Sequence, residues 1–588
     1  MIELEPFTSR TFHNEERCRI ELVGETGASP AIARMLVAAS CGFVCCFLLM
    51  AAVGVWAAYD TAAALSRFLL FLPGVFFVLI AAPLAARCSL RSGEAWLVIV
   101  ANFLALGAVL LYFSSRGVFD RQIWGSVIPL PIMQWSNNQT AQILAITLPF
   151  AIYALWLGAI QHRRTIGLIG TFTLVVVLGT LLITGSRGAG IGIVSGVMLV
   201  FYLLIRYNVV MCNVRTFRWR WAIDGGVVLF IGTLLAFYIA IVVSPSLDAR
   251  LGISAQGGSA FSRIALWRET ISLIPDYFYT GSGLASTAMV YSTYAYLVHV
   301  PYLFHAHNLY LQVALEQGIP GLIAWLGLVA TTSLYAINVL RVANSQQRML
   351  VLTSLASLTA LSVHGLFEAD LYFSSFAAIV FFAPASTLWS ATIVYRSALT
   401  GNSNIERAHG RTMSSLFFGA SLPILLVLLA PGAPARWEAN LGTVMQTRAE
   451  LSIYRWPEWS FQDQVRRQAP DILAPAESHF GAALALDPLQ PTAHRRLGEI
   501  ALAQGDLIHA REHLLVAYAV APHVRATRQL LGEVYALDGN VERAVETWKG
   551  LDLSQGQLMV REWWYQAFGE PEQLERLNDA IDAYHRTK

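Results

Sequence analysis

The 588 residues are 56% apolar and 13% charged, with a formal net charge of +2 and a mean hydropathy of +0.53. That composition excludes an ordinary soluble multidomain protein, and the charges, segregated between apolar runs, form no basic face for nucleic acid. A helix of about 20 apolar residues crosses the roughly 30 Å hydrocarbon layer and satisfies its own backbone groups there, so an all-α, polytopic membrane protein is expected.

Residues 1–30 carry Glu3, Glu5, Arg10, Glu15, Glu16, Arg17 and Arg19 with no apolar core and read as a cytoplasmic segment. The apolar run from Ala31 is too long for a signal peptide and opens a membrane domain over 31–432. Hydropathy places about eleven spans, at 31–57, 64–84, 95–113, 138–160, 165–184, 189–206, 221–244, 319–340, 349–366, 371–394 and 412–431. Short loops rich in arginine stay cytoplasmic, which assigns that side to Arg87 and Arg91, Arg163 and Arg164, Arg206 through Arg220, Arg341 and Arg348, and Arg396 through Arg411. An odd number of spans then leaves the C-terminal region outside, which in a bacterium is the periplasm. The cysteines Cys18, Cys41, Cys45, Cys46, Cys88 and Cys212 fall in membrane or cytoplasmic segments, against a disulfide framework or a thiolate zinc site.

Three outer segments stand out in this topology: Trp135 to Thr140 ahead of the fourth span, the short turn Thr184 to Gly190, and the long insertion at 245–318. The insertion is rich in aromatics, among them Tyr277, Tyr279, Tyr291, Tyr294 and Tyr302, suited to anchoring at the headgroups or to stacking on sugar rings. Beyond the last span, 433–588 has the composition of a soluble helical region. Ala485-Leu-Asp-Pro488 and Ala519-Val-Ala-Pro522 are 34 residues apart, and the same offset links Gly498 with Gly532, Gly505 with Gly539, and Ala510 with Ala544. That period resembles tetratricopeptide repeats, an α-solenoid that binds peptides or organises assemblies.

Several residues have the chemistry for a site at the membrane face. Arg187 stands between glycines at the outer end of a span, where an arginine either serves function or snorkels to the headgroups. In the insertion, Ser262 to Pro275 reads as an amphipathic helix ended by its proline. Arg263, Trp267 and Thr270 share one face of it, with Arg268 about 100° from Trp267. Guanidinium groups match phosphate oxygens bidentately. His305 and His307 precede Asn308, a good N-cap for a short helix ended by Gly318. With His299 the pair has a possible metal-ligating spacing, but no carboxylate lies near in the sequence, so no metal is expected. A neutral imidazole beside a polyanion suits a general base.

His307-Asn308, nine residues, then Gly318-Ile-Pro-Gly321 resembles the signature of the bacterial O-antigen ligase and polymerase superfamily. Gly185-Ser-Arg-Gly188 is similar to its arginine turn, and Asn137-Asn138 to its Asn-Pro-Asn element. Arg263 to Trp267 followed by Gly281-Ser-Gly283 is similar to the lead-in of its large loop, and His364 to Asp370 to a late element, with Glu368 where aspartate is more usual. The resemblance covers roughly 30–395. It implies a membrane glycosyltransferase that moves a glycan from a polyprenyl (undecaprenyl) diphosphate carrier to an acceptor hydroxyl on the periplasmic side, without cofactor or metal. The acceptor is then a growing glycan, lipid A-core or a protein. Under it His307, Arg187 and Arg263 carry catalysis, while Arg268, Asn138, Asn308, His305 and Trp267 bind substrate. A transporter or flippase of lipid-linked saccharides is the alternative, disfavoured because the spans show no internal repeat and the residues gather at one face.

Overall fold

A computed structural model describes residues 30–116, 136–209, 217–243, 259–298, 301, 304–399, 429–454, 462–468, 470–553 and 556–587. The N-terminal segment, Trp135, His299, Tyr302 and most of the expected span at 412–431 lie outside these. Among the described residues every element is helical, with no strand, so the protein is the all-α polytopic membrane protein its composition requires.

The membrane part begins with α1 (Pro30–Ala57), α2 (Thr61–Ala85), α3 (Leu90–Ser115), α4 (Asn137–Ile160), α5 (Arg164–Thr184), α6 (Arg187–Leu204) and α7 (Phe217–Val243). The inserted region holds α8 (Ser259–Leu273) and α9 (Thr287–Tyr294). It leads into α10 (Leu309–Leu340), α11 (Ser345–His364), the single turn α12 (Asp370–Phe373) and α13 (Phe382–Leu399). Among the described residues eight helices are long and apolar enough to span: α1 to α6, α10 and the stretch Ala377–Ala398, which takes in all but the last residue of α13. The expected span at 371–394 thus starts later, because Ser374 is extended after α12. The apolar stretch of α7 within the described residues is shorter, Asp224–Ala240.

The expected span at 349–366 falls on α11, which is not among the eight. Thr353, Ser354 and Ser357 are buried, with Ser357 Oγ donating to the Ile146 carbonyl at 2.6 Å and Ser354 Oγ 2.5 Å from Ser390 Oγ. Neighbouring α6 approaches it on small residues: a Cβ on Gly192 would lie 2.8 Å from the Ala360 carbonyl, and one on Gly196 2.9 Å from that of Ala356. Close backbone approach and interhelical hydrogen bonds replace the hydrophobic effect as glue inside lipid.

The chain divides into two compact units. The first comprises 1–46, 70–240 and 324–422, the second 47–69, 241–323 and 423–588. The inserted region therefore groups with the C-terminal helices. These are α14 (Ala433–Leu451), α15 (Gln462–Gln468), α16 (Pro470–Leu486), α17 (Pro491–Ala503), α18 (Leu507–Val520), α19 (Arg525–Leu537), α20 (Val541–Trp548), α21 (Gln557–Ala567) and α22 (Pro571–Arg586). Helices α17 and α18 are followed at the 34-residue offset by α19 and α20. Gly498 lets Leu514 of α18 approach α17, and Gly532 does the same for Trp548 of α20 against α19.

Apolar burial joins the inserted region to these helices: Leu266, Leu273, Tyr277, Met289 and Val290 share a core with Val444 and Leu451 of α14. Leu297 belongs to the core formed by Leu502, Leu514, Leu531 and Trp548. At roughly 1.5–3 kcal/mol for each large apolar side chain taken from water, these cores provide most of the unit's stability.

Candidate active site

In the first unit, three of the short motifs meet. Asn138, in the first turn of α4, donates from Nδ2 to Glu368 Oε2 at 2.7 Å. The preceding N-cap, Ser136, accepts from the Gln139 amide at 3.0 Å and bonds Asp370 through its hydroxyl. Asn137 donates to the Thr184 carbonyl at the end of α5. Gly185 follows in the left-handed conformation at φ 62°, where a β-carbon would be strained, and so turns the chain straight into α6. Arg187 is the first residue of that helix and is exposed, and no acidic side chain among the described residues pairs with it. A Cβ on Gly188 would stand 2.7 Å from the His364 ring, so the arginine turn and the late element His364 to Asp370 are in direct contact.

In the second unit, the histidine segment is held from both sides. Trp267 is 4% exposed, and its indole N–H donates to the Ala306 carbonyl at 3.0 Å. The Ala306 amide donates to Gln312 Oε1 at 2.8 Å. Gln312 Nε2 in turn donates to Glu316 Oε1 at 2.8 Å, and that oxygen also accepts from the Ala285 amide and the Thr287 hydroxyl. A fully buried carboxylate is tolerable only when hydrogen-bonded in this way. Both backbone groups of the residue before His307 are therefore fixed by side chains from α8 and α10.

His307 itself has φ 47°. A non-glycine residue in that region costs about 1–2 kcal/mol and persists where its surroundings over-determine it, which is typical of functional sites. Its amide donates to His305 Nδ1 at 3.3 Å, and the two rings lie 4.1 Å apart between centroids. His305 thereby uses one ring nitrogen on the backbone of its neighbour, a supporting part. Asn308 is buried and accepts from the Tyr310 and Leu311 amides at 3.0 and 3.1 Å, so it caps α10. The short first section of α10 ends where Gly318 takes φ 72° and ψ 177°, and the Ile319 amide donates across to the Phe278 carbonyl.

Both arginines of α8 are half-buried. Arg268 donates from Nε to the Val242 carbonyl at 2.9 Å, tying α8 to the end of α7. Glu269 is pushed up to about 7, chiefly by burial and against the opposing pull of Arg525 and Arg268. At the foot of α8, burial likewise pushes the Asp276 carboxyl up, but the Arg495 and Arg496 guanidiniums outweigh it and hold it below the ordinary range.

Of the residues expected at the site, Asn138 and Arg187 belong to the first unit, and Arg263, Trp267, Arg268, His305, His307 and Asn308 to the second. Trp267 spends its N–H on the backbone and is nearly enclosed. Sequence reasoning missed Gln312 and Glu316 as the pins of the histidine segment. Their spacing at i and i+4 ahead of Gly318 puts both on one helix face, a pattern shared with any solvated face and so no signal by itself. Glu368 was visible only as a position within the late element.

These features define a helical membrane protein with a polar, histidine-bearing insertion. Residues 172–326 match the family described as O-Antigen ligase, which supports a place for this stretch in the O-antigen ligase and polymerase superfamily. The match takes in Arg187, Arg263, Trp267, Arg268, His305, His307 and Asn308, leaving out Asn138 and the C-terminal helices. No curated protein matches the chain.

Proposed function

We propose that the protein is a membrane glycosyltransferase that moves a glycan from a polyprenyl diphosphate carrier to an acceptor hydroxyl at the periplasmic face. The family match supports glycan transfer within the membrane. The observation that carries the mechanism is His307, held at positive φ directly after a residue pinned through both its N–H and its C=O. Such a fixed imidazole, with a ring nitrogen able to take up a proton, suits proton transfer.

In the reaction the acceptor oxygen bonds to the anomeric carbon as the bond from that carbon to phosphate breaks. The hydroxyl proton passes to His307, and polyprenyl diphosphate leaves with the electron pair. Arg263, Arg268 and Arg187 are assigned to the charge that grows on the diphosphate, which preorganised cations stabilise without reorganisation. Arginines serve here in the way a divalent ion serves elsewhere, so transfer persists in excess chelator. Asn308 supports this arrangement by capping α10 directly after His307, and Asn138 by its bond to Glu368, both beside the substrate positions assigned to them. The 34-residue repeats are assigned to partner or acceptor binding as tetratricopeptide-like elements.

Purified protein reconstituted with a polyprenyl diphosphate oligosaccharide decides the subtype: lengthening of the glycan identifies a polymerase, and transfer only after lipid A-core is added identifies a ligase. His307→Ala and Arg187→Ala each abolish transfer with normal membrane insertion. Wild-type transfer by either variant removes that residue from the mechanism.

A further inference from the structure

Four elements of the second unit form one mechanical path. On α17, Thr492, Arg495 and Arg496 recur at i, i+3 and i+4 and so share a face, and all three turn it on a single carboxylate. Thr492 Oγ donates to Asp276 Oδ1 at 2.9 Å, while Arg495 and Arg496 both donate to Asp276 Oδ2. The carboxylate is 1% exposed and Arg496 0%, so neither charge is a solvated surface group. Arg496 also lies 3.8 Å from the centroid of the Tyr294 ring, and Tyr294 donates to Glu450 of α14 at 2.7 Å.

Asp276 stands in the helical turn Ile274–Tyr277 that continues α8. Nine residues back along that rod is Trp267, whose N–H ends on the Ala306 carbonyl. The peptide bond gripped there is the one that leads into His307. A displacement of α8 therefore pulls on a residue whose backbone already holds a strained angle.

We propose that Asp276 is a positioning residue through which α17 of the C-terminal helices sets the geometry of His307, with Trp267 as the final link. This rests on the reading of His307 as the proton acceptor, but the coupling has a readout of its own. Helix α17 acts on the insertion as a clamp, and the C-terminal region is part of the catalytic apparatus of the same chain.

The test uses the full-length protein in lipid nanodiscs. Hydrogen exchange of the amides at 304–308 is followed beside steady-state transfer, for Asp276→Asn, Trp267→Phe and Arg495→Gln. Arg511→Gln, which opens the exposed pair with Asp538 in the same helical region, is the control. Asp276→Asn and Trp267→Phe are each expected to speed exchange at 304–308 at least tenfold. They are expected to lower kcat at least tenfold with KM for the donor within threefold, while Arg511→Gln changes neither. Asp276→Asn combined with Arg495→Gln is expected to fall short of the product of the single effects, since both act through one contact. Unchanged exchange at 304–308 in folded Asp276→Asn and Trp267→Phe overturns the proposal. Should Asp276→Asn fail to fold, Arg495→Gln decides for the contact with α17 and Trp267→Phe for the final link, since the latter keeps an aromatic ring while removing the N–H with part of the indole. Faster exchange in a protein whose wild type transfers no glycan supports the coupling and refutes the assigned reaction.

Discussion

His307 combines a reactive ring with a costly backbone angle, and the two can be separated. Replacing it by Gly or by Ala removes the imidazole in both cases, so both variants are inactive in transfer. Glycine accepts φ 47° without a β-carbon penalty, so His307→Gly unfolds at a higher temperature than His307→Ala, by the equivalent of about 1 kcal/mol. Glu269 gives a second test at this scale. Its carboxyl titrates near 7 in the folded protein against an ordinary 4.5, so between those values the unfolded chain holds fewer protons. The stability it contributes is then present in full below about pH 4.5 and lost as pH rises toward 7. Thermal unfolding followed from pH 4.5 to 8 falls more steeply in the wild type than in Glu269→Gln, with the difference accrued by about pH 7.

At the level of elements, much of the membrane part was legible. Apolar runs such as 95–113 and 165–184 fall within α3 and α5, because a helix in lipid has no alternative way to satisfy its backbone. The break in α10 was legible as well, since Gly318 stands before Ile-Pro-Gly and has the conformation that favours glycine. Gln312 and Glu316 were not, because a glutamine and a glutamate one helical turn apart look like an ordinary solvated face. Only the fold reveals that Ala306, Ala285 and Thr287 converge on them from other segments. Gln312→Leu leaves the Ala306 amide buried without its acceptor, a loss of about 1–3 kcal/mol. Faster proteolysis within 304–308 is the measurable result. Gly281 offers a steric counterpart: it has φ 73°, and a Cβ there would lie 2.3 Å from the Glu316 backbone. Gly281→Ala therefore disrupts the same region despite the smallest possible addition.

The whole molecule departs furthest from what the sequence displays. A 34-residue period in the last part of the chain reads as a module for partners, and nothing in that period sets Arg495 and Arg496 apart. Both turn inward to the chain's own insertion, over 219 and 220 residues of separation, which no local pattern encodes. Behind them runs a buried ionic network in which Arg466 meets Glu450 at 2.8 Å, Asp463 at 2.5 Å and Glu499 at 2.9 Å, and Arg561 meets Asp463 and Glu533. Removing one partner strands the others, so Arg466→Met costs about 3–5 kcal/mol. A lowered denaturant midpoint by helical circular dichroism checks it. Because 259–298 and 433–451 share one core, an even number of membrane crossings is the expectation for the chain between them.

The pairing of Asp276 with Arg495 also has a consequence in time. The two are 219 residues apart, and at a synthesis rate of about 5–20 residues per second the carboxylate waits roughly 10–40 s for its arginine to be made. Through that interval the insertion cannot take its final form, however early its own residues emerge. On the proposed coupling, the contact that positions His307 forms only after α17 has been made and has folded.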